Sequence, residues 1–318
     1  MIKPVRISKI AAFIMALCLL LAGCSVRLVS EDGADSSLPA IDPQAGRGYA
    51  YTAVIYYRLL DEPVIIATTQ QVTMRVNEQI QIAVLRQLIE NTSGDELLIS
   101  PFPEGTSVIS VSEEGNIFYV TLNKNFLNAY SADQNDDNGA LTKRLAVYAI
   151  VNTMLGDHRD ARVQLLVDKD NSGSGTRLTM GEAGFTDAQN PNQLLEPLSY
   201  SEDYVATPTK LVDLVMVHIE EQNFEEAYPL FAESESGGNQ LPSYAQVETE
   251  LLSKGIVMSH TLLSEQVSSD GLSAEVKLEA EVASYDDNAV NAKTGTITLV
   301  REGQVYKIGY QSLLELLS

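Results

Sequence analysis

The residues whose types and spacing could do chemistry are a few oxygen and imidazole groups. Asp168-Lys169-Asp170-Asn171-Ser172-Gly173 places oxygen ligands at alternate positions and a glycine sixth, as the first half of a calcium loop does. Such a loop needs a bidentate glutamate at its twelfth position, and Thr179 stands there, so the run reads as a solvated loop. The acidic run Asp133 to Gly139 has its glycine one residue late, with Arg144 where the glutamate belongs. The three histidines, His158, His218 and His260, fall in different segments without a spacing such as H-x-x-x-H. A zinc site would need carboxylates that no spacing singles out, so no metal is expected. His158 is expected in the turn after a helix, near the negative end of its dipole. His218 is expected as a packed core residue and His260 within a strand. The chain holds no G-x-S-x-G, no P-loop and no G-x-G-x-x-G. The expectation is a protein that is not an enzyme, with no catalytic residues and no cofactor.

The remaining reactive group is a thiol. Met1 to Cys24 opens with Lys3, Arg6 and Lys9, continues through the apolar run Ile10 to Leu21 and ends in small residues. That is a targeting segment, too short for a comfortable membrane span. Its ending, Leu21-Ala22-Gly23-Cys24, resembles a bacterial lipoprotein signal. The resemblance implies cleavage between Gly23 and Cys24, with diacylglycerol and palmitate carried on Cys24. The competing reading is a plain secretory signal with an incidental cysteine. Cys18 lies inside the apolar run, so the mature chain would keep one cysteine and no internal disulfide. Two acyl chains on one residue make a stable anchor. The expected location is the outer face of the cell membrane, with the membrane reached only through the N-terminal lipid.

Over its 318 residues the chain carries a formal net charge of −22, or about −25 once the leader is removed. That charge repels nucleic acid and anionic membrane surfaces, so neither is an expected partner. Ser25 to Gly48 is poor in large apolar residues and reads as a flexible tether.

The elements that must position any site follow. Tyr51 to Leu60 and Val64 to Met74 read as strands around an Asp61-Glu62-Pro63 turn. Asn77 is placed to cap a helix from Glu78 to Glu90. Val108 to Val111 and Ile117 to Leu122 read as a hairpin around Glu113-Glu114-Gly115-Asn116. After a polar insertion, Ser131 to Gly139, Leu141 to Leu155 is apolar on nearly every side and should be covered on more than one face. Gly156 is placed as its left-handed cap, and Arg162 to Val167 supplies another strand. Asn152 and Thr153 are polar residues closing that apolar helix. They either satisfy backbone groups at the passage from helix to strand or mark an interface. The order ββ-α-ββ-α-β is an α+β layer with helices on one side of a small sheet.

Four pieces carry a family resemblance. Phe102-Pro103-Glu104-Gly105-Thr106-Ser107-Val108 is similar to the "lPxGTxV" opening of the GerMN sporulation and spore-germination domain. Ile117 to Phe126 resembles its "v.VdLs..F" strand, Val151-Asn152-Thr153-Met154 its "iVNTL" helix end, and Arg162 to Asp168 its closing "v.ilVdG" strand. The chain departs from the pattern at Thr121, where the family has Asp, and at Lys169, where it has Gly. The resemblance implies a compact fold related to the ring-building domains of sporulation envelope machines.

The second half opens with Thr207-Pro208, an N-cap and a first-turn proline. Helices are expected there, at Asn223 to Phe231 and at Ser243 to Lys254. Strands are expected at Ile256 to Gln266, Leu272 to Tyr285, Thr294 to Arg301 and Gln304 to Tyr310. Leu272, Ala274, Val276, Leu278, Ala280 and Val282 alternate with polar residues, as in an antiparallel sheet covered on one face. Three helices before a curved four-stranded sheet resemble the NTF2-like cone, and Asn223-Phe224-Glu225-Glu226-Ala227-Tyr228 is similar to its "gdyekAy" turn. Tyr228, Tyr244, Tyr285, Tyr306 and Tyr310 could line such a cone, as core residues, since no acid partner is picked out.

The expected organisation is therefore a signal peptide (1–23), a tether (24–48), a GerMN domain (49–170), a linker (171–202) and an NTF2-like domain (203–318). The expected role is lipid-anchored and non-enzymatic, assembling or stabilising a sporulation or germination complex through contacts with other envelope proteins. The alternative is a lipoprotein that holds a cell-wall fragment or small apolar molecule in the C-terminal cone. An enzyme acting on envelope glycans ranks behind both, because no pair of acids stands out.

Overall fold

The computed structural model describes residues 50–130, 136–156, 158–234, 238, 240–285 and 289–318, with backbone alone at 136–138. The first two strands, β1 (Ala50–Leu59) and β2 (Ile65–Thr73), pair antiparallel with Arg58 opposite Ile65. The turn between them is held by Arg58, a buried guanidinium that donates through Nε to the Glu62 carbonyl (3.0 Å) and through NH1 to Asp61 Oδ1 (3.2 Å). Helix α1 runs Ile80–Glu90, two residues later than expected, and Asn77 does not cap it. Asn77 instead takes a left-handed backbone with φ +61°, which asparagine tolerates. The Glu78 carboxylate accepts the Arg75 N–H (2.7 Å) and holds Arg86 Nε (2.9 Å), so this acid fixes the approach to the helix.

After β3 (Leu98–Ile99), β4 (Val108–Glu114) and β5 (Ile117–Asn123) form the expected hairpin. Helix α2 spans Asp136–Leu155, so the end of the polar insertion is helical rather than loop. Gly156 follows with φ +22°, and its N–H donates to the Asn152 carbonyl (3.0 Å). Strand β6 (Arg162–Asp168) runs parallel to β5, so β5, α2 and β6 make a crossover unit. Strand β7 (Thr176–Arg177) completes that sheet.

The single small sheet expected from the element order is two sheets, ordered β2-β1-β3 and β4-β5-β6-β7. Element order carries no information on which strands pair, and β3 diverts to β1 before the second sheet begins. Helix α2 touches β1 of one sheet and β6 of the other, which is why its faces are apolar nearly all round. Residues 171–202 lie along β6: Val163 and Leu198 exchange backbone hydrogen bonds (2.8 Å each), and Leu178 and Leu195 are buried.

Helix α3 (Pro208–Glu220) starts as read, with Thr207 accepting the Lys210 N–H and proline in the first turn. A short α4 (Phe224–Ala227) continues into a tight turn through Leu230, and α5 (Tyr244–Ser253) is closed at its start by a Ser243–Gln246 capping box. Strands β8 (Ile256–Val267), β9 (Ser273–Ala283), β10 (Val290–Glu302) and β11 (Val305–Ile308) form an antiparallel sheet ordered β11-β10-β9-β8. In β9, Ala274, Val276, Leu278, Ala280 and Val282 are all buried and the residues between them exposed. Leu272 falls just outside the strand and is 60 % exposed, contrary to the expected pattern. The last expected strand ends at Ile308, and Tyr310–Leu316 is a helix, α6, that packs on β10.

Gly48–Ser318 is one compact unit. Several contacts join its two halves. The Ile65 N–H donates to the Tyr204 carbonyl (2.8 Å) and the Ala206 N–H to the Ile65 carbonyl (2.9 Å). His218 reaches Glu62 (2.7 Å), and the Gln304 side-chain amide pairs with both backbone groups of Thr69 (2.7 and 2.8 Å). The chain is thus a mixed α/β protein, with three sheets among the described residues.

Candidate functional site

Gly23 and Cys24, with the leader and tether, lie outside the described residues, as do residues 133–135 and the side chains of 136–138 in the run Asp133 to Gly139. The calcium-like loop is described, and its first oxygen ligand is already engaged. Asp168 is buried at the end of β6, with Oδ1 accepting the Ser172 N–H (3.0 Å) and Oδ2 the Gly173 N–H (2.8 Å). Asp170 turns to Ser172, whose hydroxyl and amide hold its carboxyl below the usual range. The aspartates close their own turn. Among the described residues no group of three or more His, Cys, Asp or Glu side chains is gathered for a metal.

The histidines go to three places. His158 is exposed in the turn after α2. His218, expected in the core, is half-buried and pairs through Nε2 with Glu62 Oε1. That hydrogen bond raises its pKa, burial opposes it, and Glu62, Glu226 and Glu221 add attraction. His260 on β8 lies between two acids of α3, with Nδ1 2.6 Å from Glu220 and Nε2 2.9 Å from Asp213. The two acids sit on opposite edges of the ring, so they cannot share one metal ion with it. This pairing fastens α3 to β8. Asp213 and Glu220 are two helical turns apart on one face, a spacing visible in the sequence, but their partner on a distant strand was not.

The five tyrosines do not converge on one cavity. Tyr228 and Tyr244 stack edge to face, and Tyr228 donates to the Pro242 carbonyl (3.0 Å). Tyr310 packs on Phe231 and donates to Glu250 (2.9 Å), Tyr306 donates to the Gly271 carbonyl (2.6 Å), and Tyr285 is exposed. A cavity lined by Phe224, Leu251, Val257 and Val282 has a volume of about 10 Å³, room for a single water.

The polar pair at the end of α2 is a clamp. Asn152 is fully buried; its Oδ1 accepts the Ser201 N–H (3.1 Å) and its Nδ2 donates to the Ser201 carbonyl (2.8 Å). Thr153 Oγ1 accepts the Tyr56 N–H (3.0 Å). Both satisfy backbone groups, as one of the two readings had it, but on segments far away in the chain.

The Thr153 contact defines a site that the sequence did not announce. Because the Tyr56 N–H points away from β2, the strand's alternation turns the backbone groups of Thr52 and Val54 the same way. The partner strand agrees: Thr69, opposite Val54, turns its own groups outward to Gln304. Strand β3 pairs only with Arg58 and Leu59, so among the described residues no strand covers Thr52 and Val54 on that side. The uncovered edge lines a groove of about 340 Å³ whose walls include Ile80, Val84, Phe118 and Met154. Glu113 is the one acid among its lining residues, and no lysine or arginine is among them. Tyr51 and Val54 stand 47 % and 37 % exposed at its rim.

Residues 54–171 match the family model described as "Germane: Sporulation and spore germination". Among solved structures the chain is similar to the tandem GerMN domains of the sporulation protein GerM from Bacillus subtilis. The TM-score there is 0.33 at 15 % identity, covering 54 % of this chain and 51 % of that one. The chain therefore spans about half the length of the GerM structure it matches. It is also similar to a structure described as a lipoprotein from Clostridium perfringens, with TM-score 0.26 and 16 % identity over 47 % of this chain and 87 % of that one. No curated protein matches the chain.

Proposed function

We propose that this protein is a lipid-anchored, extracytoplasmic and non-enzymatic component of the cell envelope. It assembles or stabilises a sporulation or spore-germination complex through contacts with other envelope proteins. The observation that carries this reading is the Germane match over residues 54–171, joined to a leader that ends in Leu21-Ala22-Gly23-Cys24. Acylation of Cys24 holds the protein at the membrane, and the net charge of −22 disfavours close contact of the chain with anionic lipid. The C-terminal half is read as an NTF2-like cone, on the strength of helices α3 to α5 followed by the antiparallel sheet β8–β11. A cavity of about 10 Å³ beneath that sheet gives no support to a bound cell-wall fragment, so the cone serves as scaffold.

In-cell crosslinking of the intact protein, with mass spectrometry of the captured material, tests the reading. Specific envelope proteins should be enriched over a Cys24→Ala control, and a palmitate analogue should label the wild type alone. Capture of no protein, together with a deletion strain that forms and germinates spores normally, would overturn it.

A further inference from the structure

We infer that the groove beside β1 is a docking site for an extended, basic segment of a partner protein, which adds as a strand to the open edge at Thr52 and Val54. This rests on the reading of the protein as one that binds other proteins, and it names the surface and the chemistry of what binds.

Three observations carry it. First, the edge is open only there. Strand β2, the other exposed edge of this sheet, is stitched by side chains: Gln304 takes both groups of Thr69, Gln87 Nε2 reaches the Gln71 carbonyl (3.4 Å) and Arg86 the Thr73 carbonyl (3.0 Å). On β1 Thr153 caps Tyr56 and β3 covers Arg58 and Leu59, which leaves the N–H and C=O groups of Thr52 and Val54. An uncovered edge ordinarily carries a charge or a proline to stop strand addition; Tyr51-Thr52-Ala53-Val54 carries neither. Second, the edge opens into a groove rather than onto a flat surface. A segment laid along it would pair its backbone with Thr52 and Val54 and set alternate side chains against Ile80, Val84, Phe118 and Met154. Third, the charge selects the occupant. Glu113 lines the groove with no lysine or arginine among the lining residues, His158 being the one imidazole there, on a chain whose net charge is −22. Such a field draws in a cationic segment and turns away an acidic one, a second copy of this chain included.

The experiment uses the full chain in detergent and a fluorescein-labelled peptide of alternating valine and lysine, about eight residues long, so that it spans an ordinary strand. Fluorescence anisotropy reads affinity, and hydrogen exchange reads the Thr52 and Val54 amides. These amides should exchange fast in the free protein and become protected when the peptide binds. The same peptide N-methylated at every residue should bind at least about tenfold more weakly, since neither of its edges can then donate to a strand. A valine–glutamate version should bind more weakly still. Val54→Pro removes the outward N–H and leaves the groups facing β2, so it should cost about tenfold in affinity; Glu113→Lys should cost several-fold.

Equal binding of the methylated peptide, or binding without protection of Thr52 and Val54, would overturn the inference whether or not Val54→Pro folds. Protection that rises with protein concentration alone, with no effect of peptide, would overturn it in favour of a second copy. If no peptide binds while in-cell crosslinks to envelope proteins persist through other surfaces, this inference falls and the proposed function stands.

Discussion

Replacing Asn152 with alanine should destabilise the protein far more than its small change in volume suggests. The amide is fully buried and makes two hydrogen bonds, at 3.1 and 2.8 Å, to the backbone of one residue, Ser201. Alanine removes both and leaves a donor and an acceptor of a half-buried segment without partners. A net hydrogen bond contributes about 1 kcal/mol, and stranding a buried polar group costs about 1–3 kcal/mol. Water can reach Ser201 in part, so the expected loss is about 2 kcal/mol. For a unit of this size that lowers the melting temperature by about 4–8 °C. Thr153→Val, which keeps the shape and removes the one acceptor of the Tyr56 N–H, should cost about half as much. Urea unfolding of both variants against the wild type gives the free energies, and hydrogen exchange at Ser201 gives the local effect. A loss below about 0.5 kcal/mol for Asn152→Ala, or unchanged exchange at Ser201, would refute the clamp.

Other consequences can be checked in the same way. His218 has its pKa raised by Glu62, so the pair's contribution is complete below the pKa of the unfolded histidine and is lost as pH rises through the raised, folded value. Urea midpoints measured from acid to mildly alkaline pH should therefore fall more steeply for the wild type than for His218→Gln; parallel profiles would exclude a role for the pair. Leu278→Ala, at a fully buried position of β9, should cost about 3 kcal/mol, whereas Glu279→Ala beside it should stay within about 0.5 kcal/mol; chemical denaturation separates the two. Calcium at millimolar concentration should leave the melting temperature unmoved, because the Asp168 oxygens are taken by Ser172 and Gly173; Asp168→Ala should lower it by opening that turn.

What the sequence disclosed and what it withheld divide along the range of the interactions involved. The alternation in β9 and the Thr207-Pro208 start of α3 depend on neighbours a few residues away, and each could be read directly. The start of α1 misled because Asn77 is an equally good cap and left-handed residue, and the choice was made by Glu78 gripping Arg86 eight residues on. Pairing is harder still. Nothing local distinguishes one sheet of five strands from two, since hairpin signals say that strands exist and are silent about which edges meet. The family pattern at Val151-Asn152-Thr153-Met154 was visible, yet its physical meaning was not. Asn152 and Thr153 act on Ser201 and Tyr56, so their role appears only once the chain has closed on itself. The same closure creates the open edge. Thr52 and Val54 look like any residues of a β-rich run. They become a binding surface because β3 covers only Arg58 and Leu59 and Thr153 caps Tyr56, so the covered part of β1 stops short of them. The groove is thus a by-product of the contacts that hold α2 against β1. A variant that loosens the clamp should therefore blur the site as well as destabilise the fold: Thr153→Val should weaken peptide binding at the edge even though Thr153 donates nothing to the peptide.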